Sequence, residues 1–219
     1  MRNARPIRGF TLLEILLAVS LLAALLTALS VFVFSMGDIW GRGNEQRLFS
    51  QHVRAVTRHV ENLLRHAALA PEALNRPGRP PVVPRETRLE SGAAEPLLTF
   101  DLPEGDRMLP WPGEPLPEVR CSLAVQEGQG LVLCWHSRLE VRFADDPPRV
   151  TVLSPFGAAI TYDYYRPDFK SWQSHPRVQQ DQAGKWARPD RITLHFTHGK
   201  MTAETSVVLP VPTGALPAF

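Results

Sequence analysis

Between Phe10 and Met36 the chain carries one ionisable side chain, Glu14, in a run of Leu, Ala, Val and Phe with a few Ser and Thr and no Gly or Pro. As a helix rising 1.5 Å per residue, the run is about 40 Å long, enough to cross a hydrocarbon core of about 30 Å. A carboxylate inside a spanning helix costs about 2.5–3.5 kcal/mol on insertion scales, and acids kept there are generally functional. The chemistry open to Glu14 in such a place is ion pairing. A positive charge that reaches it only after assembly would explain an acid that insertion alone disfavours.

Other residue types invite chemistry and fit it less well. His52, His59 and His66 lie seven residues apart and share one side of a helix. Successive rings are then about 10 Å apart, whereas chelation needs i, i+3 or i, i+4 spacing; they read as solvated or half-buried flank residues. Asp145, Asp146 and Asp163 could enter a calcium site, but a hard cation needs about six oxygens or more from a shaped loop, and turn residues before Pro147 explain the pair more simply. Asp181 and Asp190 sit in polar loop. Trp172 and Trp186 could stack on a ligand, and packing of a long loop is the simpler use. The sequence holds no Gly-x-Ser-x-Gly elbow, phosphate-binding Gly loop, His-Glu-x-x-His pair or Cys-x-x-Cys. The expectation is therefore no catalytic residue, no metal, no cofactor, and a protein that is not an enzyme. With 24 basic against 22 acidic side chains, a net charge of +2 also gives no broad basic surface for nucleic acid.

The elements around these residues follow from the chain order. Arg2, Arg5 and Arg8 precede the apolar run without an acid, so the N-terminus is expected in the cytoplasm and the remainder exported. Gly37, Gly41 and Gly43 around Trp40 suggest a soft joint at the membrane surface. From Asn44 a two-faced helix resumes. Phe49, Val53, Val56, Val60, Leu63 and Ala67 form its dry stripe, and Arg47, Arg54, Arg58, Glu61 and Arg65 fall mostly elsewhere. The stripe needs a sheet to cover it. Residues 71–118 are rich in Pro and predict loop, with one short strand at Leu97–Leu102; Met108, Leu109 and Trp111 are either a contact surface or a lid.

From Val119 the chain reads as β: Val119–Gln126, Gly130–His136, Leu139–Phe143, Arg149–Leu153, Ala159–Tyr165, Arg191–Thr197 and Thr202–Leu209. A two-residue turn at Glu127-Gly128 would set Cys121 opposite Cys134, within bridging distance, and an exported domain permits the disulfide. Two buried thiols are the alternative.

Arg8-Gly9-Phe10-Thr11-Leu12-Leu13-Glu14, a basic leader ending in Gly and then an apolar helix with a lone acid, resembles the type IV pilin-like family. The resemblance covers about 30 residues and implies cleavage between Gly9 and Phe10 by a prepilin peptidase, methylation of the Phe10 amine, and an assembly role for Glu14 against that amine in a neighbouring subunit. An ordinary signal anchor with an accidental Glu is the bland alternative. A second, weaker resemblance involves Ile160-Thr161-Tyr162-Asp163-Tyr164-Tyr165, Trp172, and the stretch from Lys185 to Leu194. These look like the C-terminal half of J-type minor pseudopilins of type II secretion. Ala187-Arg188-Pro189-Asp190 departs from the Leu-Pro more usual there.

Together these imply an α+β, pilin-like fold, with a long N-terminal helix whose second half packs on antiparallel sheets. The expected segments are a leader (1–9), a transmembrane or fibre-core helix (10–36), an amphipathic helix entering the head (37–70), Pro-rich loops (71–118) and a β-rich remainder (119–219). The implied setting is the bacterial inner membrane, with a single pass, a cytoplasmic N-terminus and a periplasmic head. The implied partners are I-like and K-like minor pseudopilins, the major pseudopilin and the peptidase. The alternatives are a minor pilin priming a type IV or competence pilus and, in another class, a membrane-anchored enzyme or ligand-binding module.

Overall fold

The computed structural model describes residues 11–70, 80–89, 94–109, 116–143, 146–181 and 183–211, with backbone only over 37–43. Gly9, Phe10, Trp111 and Asp145, and the side chain of Trp40, lie outside the described residues. The chain divides into two units, Met1–Leu48 and Phe49–Phe219, and helix α1 (Leu12–Ala68) contributes to both. The backbone is helical at Gly37, Gly41 and Gly43, so the expected joint does not interrupt it.

In the first unit, Leu12–Met36 has mean hydropathy 2.6 and no part of its most apolar window is buried within the chain. Leu12, Leu16, Leu21, Leu25 and Phe34 are all more than half exposed. An apolar surface this extensive does not persist in water and marks a membrane or partner-facing segment. The few hydroxyls on it are satisfied internally. Ser20 donates to the Leu17 carbonyl at 2.9 Å, Thr27 to that of Ala23 and Ser30 to that of Leu26, both at 2.8 Å. In a medium without water such back-bonding removes the penalty of a free hydroxyl.

In the second unit the dry stripe is buried as its spacing predicts. Phe49, Val53, Val56, Val60, Leu63 and Ala67, with Leu64 beside them, join one core with residues of two antiparallel sheets. α1 closes at Ala68, where the Leu69 N–H reaches the carbonyls of Arg65 and His66, and Pro71 follows.

The first sheet runs in sequence order: β1 (Val82–Arg88), β2 (Ala94–Leu102), β3 (Val119–Gln126), β4 (Gly130–Ser137) and β5 (Arg149–Ser154). The second is ordered β7-β6-β8-β9, from β6 (Gly157–Arg166), β7 (Ser171–His175), β8 (Arg191–His198) and β9 (Met201–Val208). β6 runs close to β3 and β4, where the sheets meet. The architecture is α+β, an apolar N-terminal helix followed by antiparallel sheets.

Several expectations need correction. The Pro-rich stretch holds two strands rather than one: β1 contains Pro84 and is tolerated because it lies at a sheet edge, where a missing N–H costs no ladder bond. Leu139–Phe143 is a run of turns, not a strand. Its Glu140 folds back to accept from the Ser137 N–H at 2.7 Å and from both terminal nitrogens of Arg149. This closes the segment and leaves Leu139 and Val141 in solvent. Ser171–His175, expected as loop, forms β7 and carries Trp172.

The β3–β4 register also differs from the expected one. Gln126 pairs with Gly130, so the loop holds Glu127, Gly128 and Gln129, with Gly128 and Gly130 both at positive φ. The extra residue slides the ladder by one, and a one-residue slip moves a side chain to the other face. Cys121 therefore faces Trp135, and Cys134 faces Ser122. Cys121 belongs to the main core, while Cys134 belongs to a smaller cluster with Leu97, Ala124 and Val132 on the opposite face. Both thiols are buried and free, and the expected bridge is not made.

Candidate functional site

The site begins at the first turn of α1. Thr11 precedes the helix, and its hydroxyl accepts from the Glu14 N–H at 3.3 Å. Glu14 reaches back so that Oε2 accepts from the Thr11 N–H at 3.3 Å and from the Thr11 hydroxyl at 3.4 Å. This is a capping box: a Thr and a Glu three residues on satisfy each other's free donors at a helix start. The pattern Thr11-Leu12-Leu13-Glu14 carries that signal in plain sight, and reasoning from membrane burial alone passed over it. Glu14 thus closes its own helix N-terminus.

The three histidines separate. His52 binds the Ser154 hydroxyl at 2.8 Å and packs edge-on against Phe156. His59 is half-buried, with Nε2 buried and without a hydrogen-bond partner. His66 is exposed. Among the described residues no cluster of three His, Cys, Asp or Glu is placed to hold a metal.

Asp163, weighed as a calcium ligand, is instead held by other strands. On β6 it is 1% exposed, and its carboxylate accepts from Ser174 on β7 and from Thr193 (2.8 Å) and Arg191 (2.9 Å) on β8. Arg191 in turn lies 4.3 Å over the Trp172 ring. Burial pushes the Asp163 carboxyl up, but the three hydrogen bonds and the Arg191 charge outweigh it and hold the group below the usual carboxylate range. One acid thereby ties β7 and β8 together across β6 and fixes Trp172. Asp190 accepts from the Tyr165 N–H at 2.8 Å, and Asp181 caps its own turn at Ala183 and Lys185. Trp186 is partly buried against the main core.

A hydroxyl–imidazole–carboxylate chain also crosses the same sheet: Thr161 to His195 Nε2 at 2.7 Å, and His195 Nδ1 to Glu204 at 3.2 Å. Thr161 on β6, His195 on β8 and Glu204 on β9 lie on three neighbouring strands, so the chain of contacts braces them across the sheet. Cys121 is as inert as its place suggests: burial first, then nearby Asp101 and Asp106, push its thiol well up.

A bare apolar helix capped by Thr11 and Glu14 is followed by a head of antiparallel sheets, an arrangement consistent with a pilin-like α+β fold. Residues 5–30 match the family described as the prokaryotic N-terminal methylation motif. That motif implies processing by a prepilin peptidase and assembly with other pilin-like subunits. A search of curated proteins finds no match.

Proposed function

We propose that this chain is a minor pseudopilin of a type II secretion system. It acts structurally, without catalysis or cofactor, as a subunit just below the tip of a short fibre that helps export folded proteins across the outer membrane. Its N-terminus lies in the cytoplasm, its helix in the inner membrane and its head in the periplasm. I-like and K-like pseudopilins are its immediate partners. The observation that carries this reading is Glu14: an acid kept in an otherwise uncharged span, directed at its own helix start. In a fibre the carboxylate meets the Phe10 amine of the subunit ahead, and opposite charges in a dry core attract strongly while isolated ones are costly. A subunit at the extreme tip has no neighbour ahead to pair with, so a retained acid points to a place beneath it.

Mass spectrometry of the membrane-extracted chain tests the class. It should begin at N-methylated Phe10, and Gly9→Leu should leave the uncut precursor. Copurification of the full-length chain tests the subtype. Recovery of secretion pseudopilins supports the proposal, whereas recovery of pilus subunits alone would transfer the chain to pilus priming.

A further inference from the structure

We propose that a cleft in the head binds a neutral, mostly apolar small molecule through a carbonyl or ether oxygen, with the Tyr162 hydroxyl as donor. The cleft has a volume of about 560 Å³ and lies where β2 and β3 face β6 and residues 176–178 with Trp186. Small-molecule sites ordinarily measure about 300–1,000 Å³. Leu97, Ala124, Ile160, Val178 and Trp186 supply apolar walls, and the first four are buried.

Two tyrosines of β6 differ in how their hydroxyls are used. The Tyr164 hydroxyl is fully engaged: it donates to the Ala187 carbonyl at 3.3 Å and accepts from the Gln179 N–H at 3.0 Å. Tyr162 is placed more deeply, at 5% exposed, yet its hydroxyl has no hydrogen-bond partner among the described residues. A buried phenol normally finds a partner, and a buried donor left unmade is costly. Tyr162 lines the cleft, and Glu95 at the cleft mouth is near enough to act on its phenol, so the hydroxyl faces the cleft. Burial first, then Tyr164 and Glu95, push this phenol up to about 12. It therefore keeps its proton at physiological pH and stands ready to donate.

The surroundings of the hydroxyl select the ligand. Glu95 and Arg177, both exposed at the mouth, bring one charge of each sign and leave no net field to draw in an ion. The walls favour an apolar body. A single inward donor calls for one oxygen acceptor, and a molecule without it leaves the hydroxyl unpaired and binds less well. The site does not depend on the secretion assignment.

The test photolabels the full-length chain in detergent micelles with benzophenone, a neutral diaryl ketone, below saturation, and maps the adducts by mass spectrometry of peptides. The apolar span Leu12–Met36 takes up the same probe from the micelle and serves as internal reference. The wild-type cleft walls should be labelled. Tyr162→Phe should lower their labelling about tenfold relative to the span, the worth of one hydrogen bond in a buried site. The same variant should leave the melting temperature unchanged or higher, because it loses no internal hydrogen bond, whereas Tyr164→Phe breaks two and should lower it. Ala159→Trp, at an exposed position on the cleft rim, should block labelling of the walls without unfolding the head. The proposal is overturned if the wild-type walls take no label, if their labelling survives either Tyr162→Phe or Ala159→Trp, or if Tyr162→Phe lowers the melting temperature as much as Tyr164→Phe.

Discussion

Glu14 performs two tasks that a pair of substitutions can separate. Glu14→Gln keeps a side chain able to close the capping box with Thr11 and removes the charge; Glu14→Ala removes both. The cap contacts, 3.3–3.4 Å long, are at the weak end of hydrogen bonding, so their loss should cost about 0.5–1 kcal/mol, confined to the first turn. Losing the charge leaves a neighbour's amine unpaired in a dry core, a penalty of about 3 kcal/mol or more. At 1.4 kcal/mol per factor of ten, incorporation should fall by about 100-fold in both variants. Membrane insertion should not suffer, since an acid in the span is itself costly. Both variants should be cut after Gly9, which lies outside the change. The assay is copurification of each full-length variant with its partner subunits, alongside cleavage and membrane fractionation as controls. Pairing predicts equal failure of both variants. Undiminished recovery of Glu14→Gln, with Glu14→Ala impaired, would show that the cap rather than the charge carries assembly and would refute the argument.

Three further outcomes follow from the head. Val56→Asp buries a charge without a partner in the core and should destabilise the head by several kcal/mol, whereas Arg54→Asp, on the exposed side, should change the melting temperature little. Thiol labelling of unfolded, unreduced chain should mark both Cys121 and Cys134, and labelling of the folded chain neither, because both are buried and face opposite ways. Asp163 is held below its ordinary range in the folded state, so its stabilisation is complete above the unfolded value near about 3.9 and is lost as the pH falls through the folded one. Asp163→Asn should lower the melting temperature at pH 7 and remove that part of the acid-induced loss, as followed by thermal melts across pH 2–7 (about the range in which carboxylates titrate).

Local pattern was enough for much of this protein. The apolar span, its single acid, the stripe from Phe49 to Ala67 and the β8–β9 hairpin are each written in consecutive residues, where helix and strand periods and turn chemistry act within a few positions of one another. The methylation motif belongs to the same kind of information. What local pattern left open depended on events between segments. One extra loop residue after Gln126 turned Cys134 to the opposite face from Cys121, because the side-chain period of a strand is two and any slip reverses it. Pro84 is a strand breaker by local rule, and β1 admits it because the sheet order puts β1 at an edge. Asp163, Ser174, Arg191 and Thr193 carry no motif; they meet because the sheet order puts β6 between β7 and β8. Sequence determined what each segment prefers to bury and how its backbone starts and stops. Tertiary structure alone decided which polar groups converge, since convergence is a property of strand order and register, and these are set by contacts among residues far apart in the chain.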